Sequence, residues 1–305
     1  MRLRSLAIVL TFGLLSGAAV TPAHGQVPAT VAVSDTVWTV QLADGSTLYG
    51  RVVEAGEDRL TLVSEGGVRV ELARAQIRSM APIRGTIRDG VVWPADPNTT
   101  RLFFGPTGRM MPAGEGYVAA FELFLPFVSY SLTDWFTIAG GTPLVPEIIG
   151  EIVYVAPKVG IYQRPDLAVS AGVLAFFSRW DDFESAGILF GVGTWGESDR
   201  SLTFGTGWPF ARGDLASRPV FMGGGETRLT RRTKLVSENY LITYEETVGP
   251  GGQTRTQAGG MVSGGIRFIG DRLSADLGLG LGFDGSDTAC CMPLVNFVYH
   301  FGGAR

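Results

Sequence analysis

The chain is poor in cysteine, histidine and charge, and it has no long hydrophobic run beyond its first residues. Of 305 residues, 2 are Cys and 2 are His. Two cysteines exclude a disulfide framework and a four-cysteine zinc site. Two histidines leave almost nothing for histidine-based catalysis. Charged residues make up 18% of the chain, below the usual quarter, and the net charge of -4 gives no general attraction to nucleic acid. No segment after the N-terminus is apolar for long enough to form a transmembrane helix. Only helices and closed barrels satisfy the backbone in hydrocarbon, so a membrane protein of this sequence must cross as a closed β-barrel. What the chain does have is 43 glycines, roughly twice the usual share, and 45% hydrophobic residues. The glycines follow no three-residue period, which excludes a collagen, and the hydrophobic content excludes a disordered chain.

Residues 1–25 read as a signal peptide. Met1-Arg2-Leu3-Arg4 is a positive start, Leu6 to Val20 is an apolar run broken by small residues, and Ala23-His24-Gly25 is a small-x-small cleavage site. The mature chain is expected to begin near Gln26 and to keep His300 alone of the two histidines. No cysteine follows the apolar run, so a lipid anchor is not expected.

Residues 35–82 form a compact, charged region of short alternating segments: Val37 to Leu42, Thr47 to Glu54, Arg59 to Ser64, Val68 to Leu72 and Ala75 to Met80. Asp44-Gly45, Ala55-Gly56-Glu57-Asp58 and Gly66-Gly67 supply the turns. About five strands in so short a stretch suggest a small barrel. The run from Val40 to Val52, VQLADGSTLYGRV, resembles the first motif of Sm-like and SH3-like barrels. Barrels of the Sm class bind RNA. This region lacks a basic aromatic surface and belongs to an exported chain, so the expectation is a periplasmic interaction module with a possible protein partner and no nucleic acid. Residues 83–99, with Gly85, Gly90, Pro94 and Pro97, read as a linker.

Residues 100–305 have a different texture. In Arg272 to Phe283 the odd positions are Leu, Ala, Leu, Leu, Leu and Phe, and the even positions are Arg, Ser, Asp, Gly, Gly and Gly. In a strand these sets take opposite faces, one suited to lipid and one to a crowded lumen. Val262, Ile266 and Phe268 oppose Ser263 and Arg267 in the same way. Leu202 and Phe204 oppose Ser201 and Thr203, and Val153, Val155, Val159 and Ile161 oppose Tyr154, Lys158 and Tyr162. Short connections alternate with longer ones at Pro143 to Gly150, Arg179 to Glu184, Pro209 to Ser217, Glu245 to Gln257 and Asp284 to Met292. Both ends of the barrel should be periplasmic, which requires an even strand count. The reading assigns Arg101 to Gly105 as a first strand, Pro106 to Glu115 as a first outside loop, and Gly116 to Ser131 as one strand kinked at Pro126. The expectation is an all-β protein: the small N-terminal barrel, then a closed antiparallel transmembrane barrel of about twelve strands. Trp135, Tyr162, Trp195, Trp208 and Tyr299 suit interfacial girdles. Val295-x-Phe297-x-Tyr299-x-Phe301 resembles the C-terminal signal of outer-membrane barrels, and the organisation resembles uncharacterised outer-membrane barrel proteins of Gram-negative bacteria.

The candidate lumen-facing residues are Lys158, Glu226, Arg228, Glu238, Arg267, Asp276, Asn296 and His300. They form either a polar conduit or constriction, or a neutralised ion-pair network that fills the lumen. Val236 and Tyr240 share the parity of Glu238, which leaves its face open. No G-x-S-x-G elbow nominates a nucleophile for His300, no glycine pair has the context of a phosphate loop, and no cofactor or metal is expected. Cys290-Cys291, placed in the last outside loop, are either a vicinal disulfide or two thiols. Three functions remain: small-molecule passage or binding through a narrow lumen, a structural role in which the N-terminal module docks a partner, and hydrolysis using His300. The expected location is the outer membrane, in contact with its lipid bilayer.

Overall fold

A computed structural model describes residues 36–302, apart from 65, 84, 89–90, 147–148, 179–184, 249–252 and 286. The expected signal peptide and the expected loop at 179–184 lie outside the described residues. The chain divides into two units, Met1–Ile83 and Arg84–Arg305.

In the first unit, five strands form one antiparallel sheet: β1 (Val37–Leu42), β2 (Thr47–Ala55), β3 (Arg59–Val63), β4 (Arg69–Ala73) and β5 (Ile77–Pro82). Their order in the sheet is β4-β3-β2-β1-β5. Gly45 turns β1 into β2 at a φ of +89°, and the Asp44 carboxylate accepts from the Ser46 N–H at 2.8 Å and its hydroxyl at 2.6 Å. Alternate residues point to one side, where Val40, Val52, Leu60, Leu62, Leu72, Ile77 and Met80 form the core.

The second unit begins with a hairpin, β6 (Gly85–Arg88) and β7 (Val91–Pro94), within the stretch read as a linker. After it the chain runs as an inward segment, residues 95–115, described below. The barrel wall follows: β8 (Gly116–Phe121), β9 (Leu125–Thr133), β10 (Phe136–Gly141), β11 (Ile152–Val155), β12 (Lys158–Gln163), β13 (Leu167–Ser178), β14 (Ala186–Glu197) and β15 (Arg200–Ala211). It continues through β17 (Val220–Thr230), β18 (Thr233–Val248), β19 (Gln253–Ile269), β20 (Leu273–Asp284) and β21 (Asp287–Phe301); β16 (Asp214–Leu215) is a two-residue flap on β15. Each wall strand pairs antiparallel with the next, and β21 pairs back onto β8 from Asn296↔Phe121 to Phe301↔Gly116. β11 and β12 occupy one position in the wall, interrupted at Ala156 and Pro157, where the Ala156 N–H still bonds the Ala139 carbonyl. The result, among the described residues, is a closed ring of twelve strand positions. It contains no α-helix, and no helix is long and apolar enough to cross a membrane.

The expected count of twelve holds, but two of its parts are corrected. Arg101 to Gly105 is not a wall strand; its only ladder contact is an isolated bridge from Arg101 to Pro106, and Leu102 and Phe103 are fully buried. Pro106 to Glu115 is correspondingly not an outside loop. The missing strand comes from Gly116 to Ser131, which is two strands. Glu122 and Leu123 reverse the chain with φ values of 48° and 64°, and Pro126 sits in register opposite Ala120 with no kink of its own. Two of the expected long connections, Glu245 to Gln257 and Asp284 to Met292, also contract, because strands extend into them. β18 and β19 pair as far as Val248↔Gln253, and β20 and β21 as far as Asp284↔Asp287. From Glu245 to Gln257 the sequence is mostly polar at odd and even positions alike, so a reading based on apolar alternation stops too early there.

The ring has two unlike ends. Gly116 and Phe301 lie at the end bearing the tight turns after β9, β12, β14, β17 and β19; the longer connections lie at the other. Outward side chains form an apolar exterior: Phe204 is 65% exposed, Leu279 58% and Val262 52%. Trp135, Trp195 and Tyr299 are exposed near the turn end, and Trp208 nearer the loop end. This apolar band flanked by aromatics is what a lipid-embedded barrel presents. Tyr162 departs from its expected face, because a register shift between Gly160 and Tyr162 turns it outward.

Candidate functional site

The inside of the ring is occupied. Residues 95–111 enter from the turn end and fill the lumen with Asp96, Asn98, Arg101, Leu102, Phe103, Thr107 and Met111, all buried. Inward-facing strand residues bind this segment along its length.

At the turn end the contacts are ionic. Lys234 of β18 places its ammonium 2.8 Å from Asp96 and 3.2 Å from Glu226 of β17. Arg109 reaches the other oxygen of Glu226 at 3.4 Å. Asp276 of β20 accepts from Arg267 of β19 at 2.7 Å through one oxygen and from Arg101 at 2.7 Å through the other. Arg267 also donates to the Leu102 carbonyl, and Arg101 to the Phe103 carbonyl. Apart from the partly exposed Arg109, these charges are fully or nearly fully out of solvent, where an ion pair persists only if its remaining donors and acceptors are satisfied. Asn98 serves that need: it donates to Ser274, accepts from Arg101, and its side-chain oxygen lies 3.1 Å from His300 Nε2.

Elsewhere in the lumen the contacts are mainly to the segment's backbone. The Phe104 and Gly105 N–H groups both donate to Glu238 at 3.0 Å, and Tyr240 donates to the other Glu238 oxygen at 2.8 Å. Gly108 N–H donates to Thr194, and Gln163 binds the Gly108 carbonyl and the Met110 N–H. Lys158 donates to the carbonyls of Arg109 at 2.8 Å and Thr107 at 3.3 Å. Asn296 donates to the Phe103 carbonyl. Leu102 and Phe103 pack with Val236 and Leu294, so Val236 and Glu238 share the inner face.

Seven of the eight candidate residues thus contact or surround the inward segment. Arg228 is the exception: at the turn end it pairs with Asp199 at 3.1 Å, donates to the Pro94 carbonyl, and lies 5.8 Å from the Trp93 ring of the β6–β7 hairpin. Sequence reasoning missed Lys234, although it shares parity with Val236 and Glu238. It also missed Asp96, Asn98, Arg101 and Arg109, whose stretch has no period to betray an inner face. Cys290 and Cys291 form a disulfide and belong to β21 rather than to a loop.

On the loop side of the segment the lumen holds a cavity of about 390 Å³. Its wall is mostly apolar, with Phe121, Phe127, Tyr154, Phe176, Phe190 and Val192 among its residues, and Thr100, Thr206 and Lys158 supply polar groups. Phe127 stacks on Tyr154 at 6.1 Å between ring centres, and Tyr154 meets Phe176 at 5.8 Å. Among the described residues no group of acids, histidines and cysteines could hold a metal ion.

No protein family and no curated protein matches the chain. Among solved structures it is similar to the outer-membrane expressed OmpT of Vibrio cholerae, at 12% identity over 88% of this chain and 95% of that one, with a TM-score of 0.36. A loop-deletion mutant of that protein gives 15% identity over 87% and 96%, with a TM-score of 0.37. The NanC porin gives 8% identity over 63% of this chain and 100% of that one, with a TM-score of 0.38. At these values the likeness carries no argument of its own. The strand pairing and the apolar exterior do, and by them the chain is a β-barrel of the outer-membrane type.

Proposed function

We propose that this is an exported outer-membrane protein whose barrel binds small, mainly apolar molecules and does not pass solutes freely. The observation that carries this reading is the occupied lumen: residues 95–111 close it at the turn end and leave an apolar cavity at the loop end. A cavity of a few hundred Å³ with a few polar groups is the usual shape of a small-molecule site. In this reading the turn end faces the periplasm and the loop end the outside. Folded protein in planar bilayers is expected to give no steady conductance, while a neutral apolar probe binds with one saturable site. An open-pore current from folded wild-type protein would overturn the reading.

The N-terminal unit fits an interaction module. We propose the Sm-like or SH3-like class for it from its five-strand order β4-β3-β2-β1-β5 and the 3₁₀ turn at Arg74–Gln76 before the last strand. A protein partner is proposed for it on the same footing. Hydrolysis at His300 is not favoured, because its Nε2 is engaged by Asn98 and its ring packs on Tyr117 at 5.5 Å.

A further inference from the structure

Lys158 stands apart from the other lumen charges. Lys234, Arg267, Arg101 and Arg109 each have a carboxylate partner. Lys158 is nine-tenths buried, and no carboxylate among the described residues lies within ion-pair distance of it. An ammonium has three donors. Two go to the carbonyls of Arg109 and Thr107, which leaves one, and Lys158 lines the apolar cavity. Three further polar groups of the lining residues have no hydrogen-bond partner among the described residues: the hydroxyls of Thr100 and Thr206 and the Nε of Arg101. The Thr107 backbone links Thr100 and Lys158: its N–H donates to the Thr100 carbonyl, and its own carbonyl accepts from Lys158. A buried cation and buried hydroxyls left unmatched are costly unless something completes them.

We propose that the cavity binds a small monocarboxylic acid with an apolar body, its carboxylate paired with Lys158 and its body among the aromatic side chains. This rests on the reading of the lumen as a binding pocket and adds the charge and polarity of the ligand. The aromatic rings supply apolar area without fixing a sequence of polar contacts, so a saturated chain and an aryl acid both suit the walls. The head group is the selective part. A neutral head gains a hydrogen bond but no charge pairing, and a cationic head meets like charge.

The test is titration calorimetry on the full chain in lipid nanodiscs, with empty nanodiscs as the blank. Decanoate, decanol and decyltrimethylammonium share a chain and differ in head charge. Decanoate is expected to bind about tenfold more tightly than decanol, and the ammonium not measurably, as befits one charge-assisted hydrogen bond. Lys158→Met should abolish the preference for decanoate over decanol, with decanoate losing more affinity than decanol. Equal binding of decanoate and decanol to the wild type overturns the head-group inference and leaves the apolar pocket standing. Failure of both to bind overturns the pocket reading as well. The wild-type series decides the matter even if the variant does not fold.

Discussion

At the level of single residues, the buried charges make the sharpest demands. Lys234 sits between the carboxylates of Asp96 and Glu226, so its removal leaves two buried acids with only the longer contacts of Arg267, at 3.8 and 3.7 Å, and of Arg109 with Glu226 at 3.4 Å. Lys234→Met is expected to cost about 3–5 kcal/mol, and adding Glu226→Gln should restore part of the loss. Urea unfolding of vesicle-embedded protein measures this; a cost below about 1 kcal/mol would mean that water reaches the pair. Asp44 makes a weaker claim in the N-terminal unit. The Ser46 hydroxyl and N–H hold its carboxyl below the usual carboxylate range. Its contribution to the β1–β2 turn is therefore fully present above its ordinary value of 3.8 and is lost as pH falls through its lowered one. Asp44→Ala should alter hydrogen exchange at the Ser46 amide at neutral pH and not in strong acid. A pH-independent difference would assign the effect to packing.

Among the elements, strands were legible in the sequence and the inward segment was not. Strands such as Leu273–Asp284 and Gln253–Ile269 betray themselves because lipid and lumen impose a period of two on side-chain polarity. The segment around Asp96 to Met111 is ringed by the barrel wall and repeats no direction, so nothing in its spacing separates it from a linker or a loop. The β8–β9 reversal was hidden for another reason. It uses Glu122 and Leu123 in a backbone region that favours glycine, and so lacks the residues that mark turns. Gly108 packs closely against the wall backbone: a Cβ there would lie 2.1 Å from the Ala168 carbonyl oxygen and 2.7 Å from its carbon. Neither backbone atom can give way without moving β13. Gly108→Ala is therefore expected to push the segment out of place at a cost of about 1–3 kcal/mol. The wall pairing would survive, so heat-modifiable migration should persist while conductance rises above the wild-type baseline. Silent bilayers with the variant would show that the segment tolerates the shift.

For the molecule as a whole, the outer surface carries the membrane argument. Leu279 lies mid-strand on β20 with its side chain outward, whereas Thr288 lies near the loop end of β21. Leu279→Arg should cost about 2–4 kcal/mol of stability in a bilayer and Thr288→Arg about 0–1 kcal/mol, the depth dependence of a lipid-facing charge. Equal costs would place the bilayer elsewhere on the barrel. The same apolar band explains the composition: charge is scarce because one face of each strand meets lipid, and many inner positions are glycine because the lumen already holds a second layer of chain.

That filled interior also sets an order of events. Asp96, Asn98 and Arg101 precede the first wall strand, and partners of each stand on the last four, with Arg101 and Asp276 175 positions apart and Asn98 and His300 202 apart. A ring shut first would have to admit these charged groups afterwards through a rim of tight turns. The seam between β21 and β8 therefore closes around chain already in place. Pairings this distant in sequence make loop closure the slow part of folding, and each barrel is built around residues made before its wall.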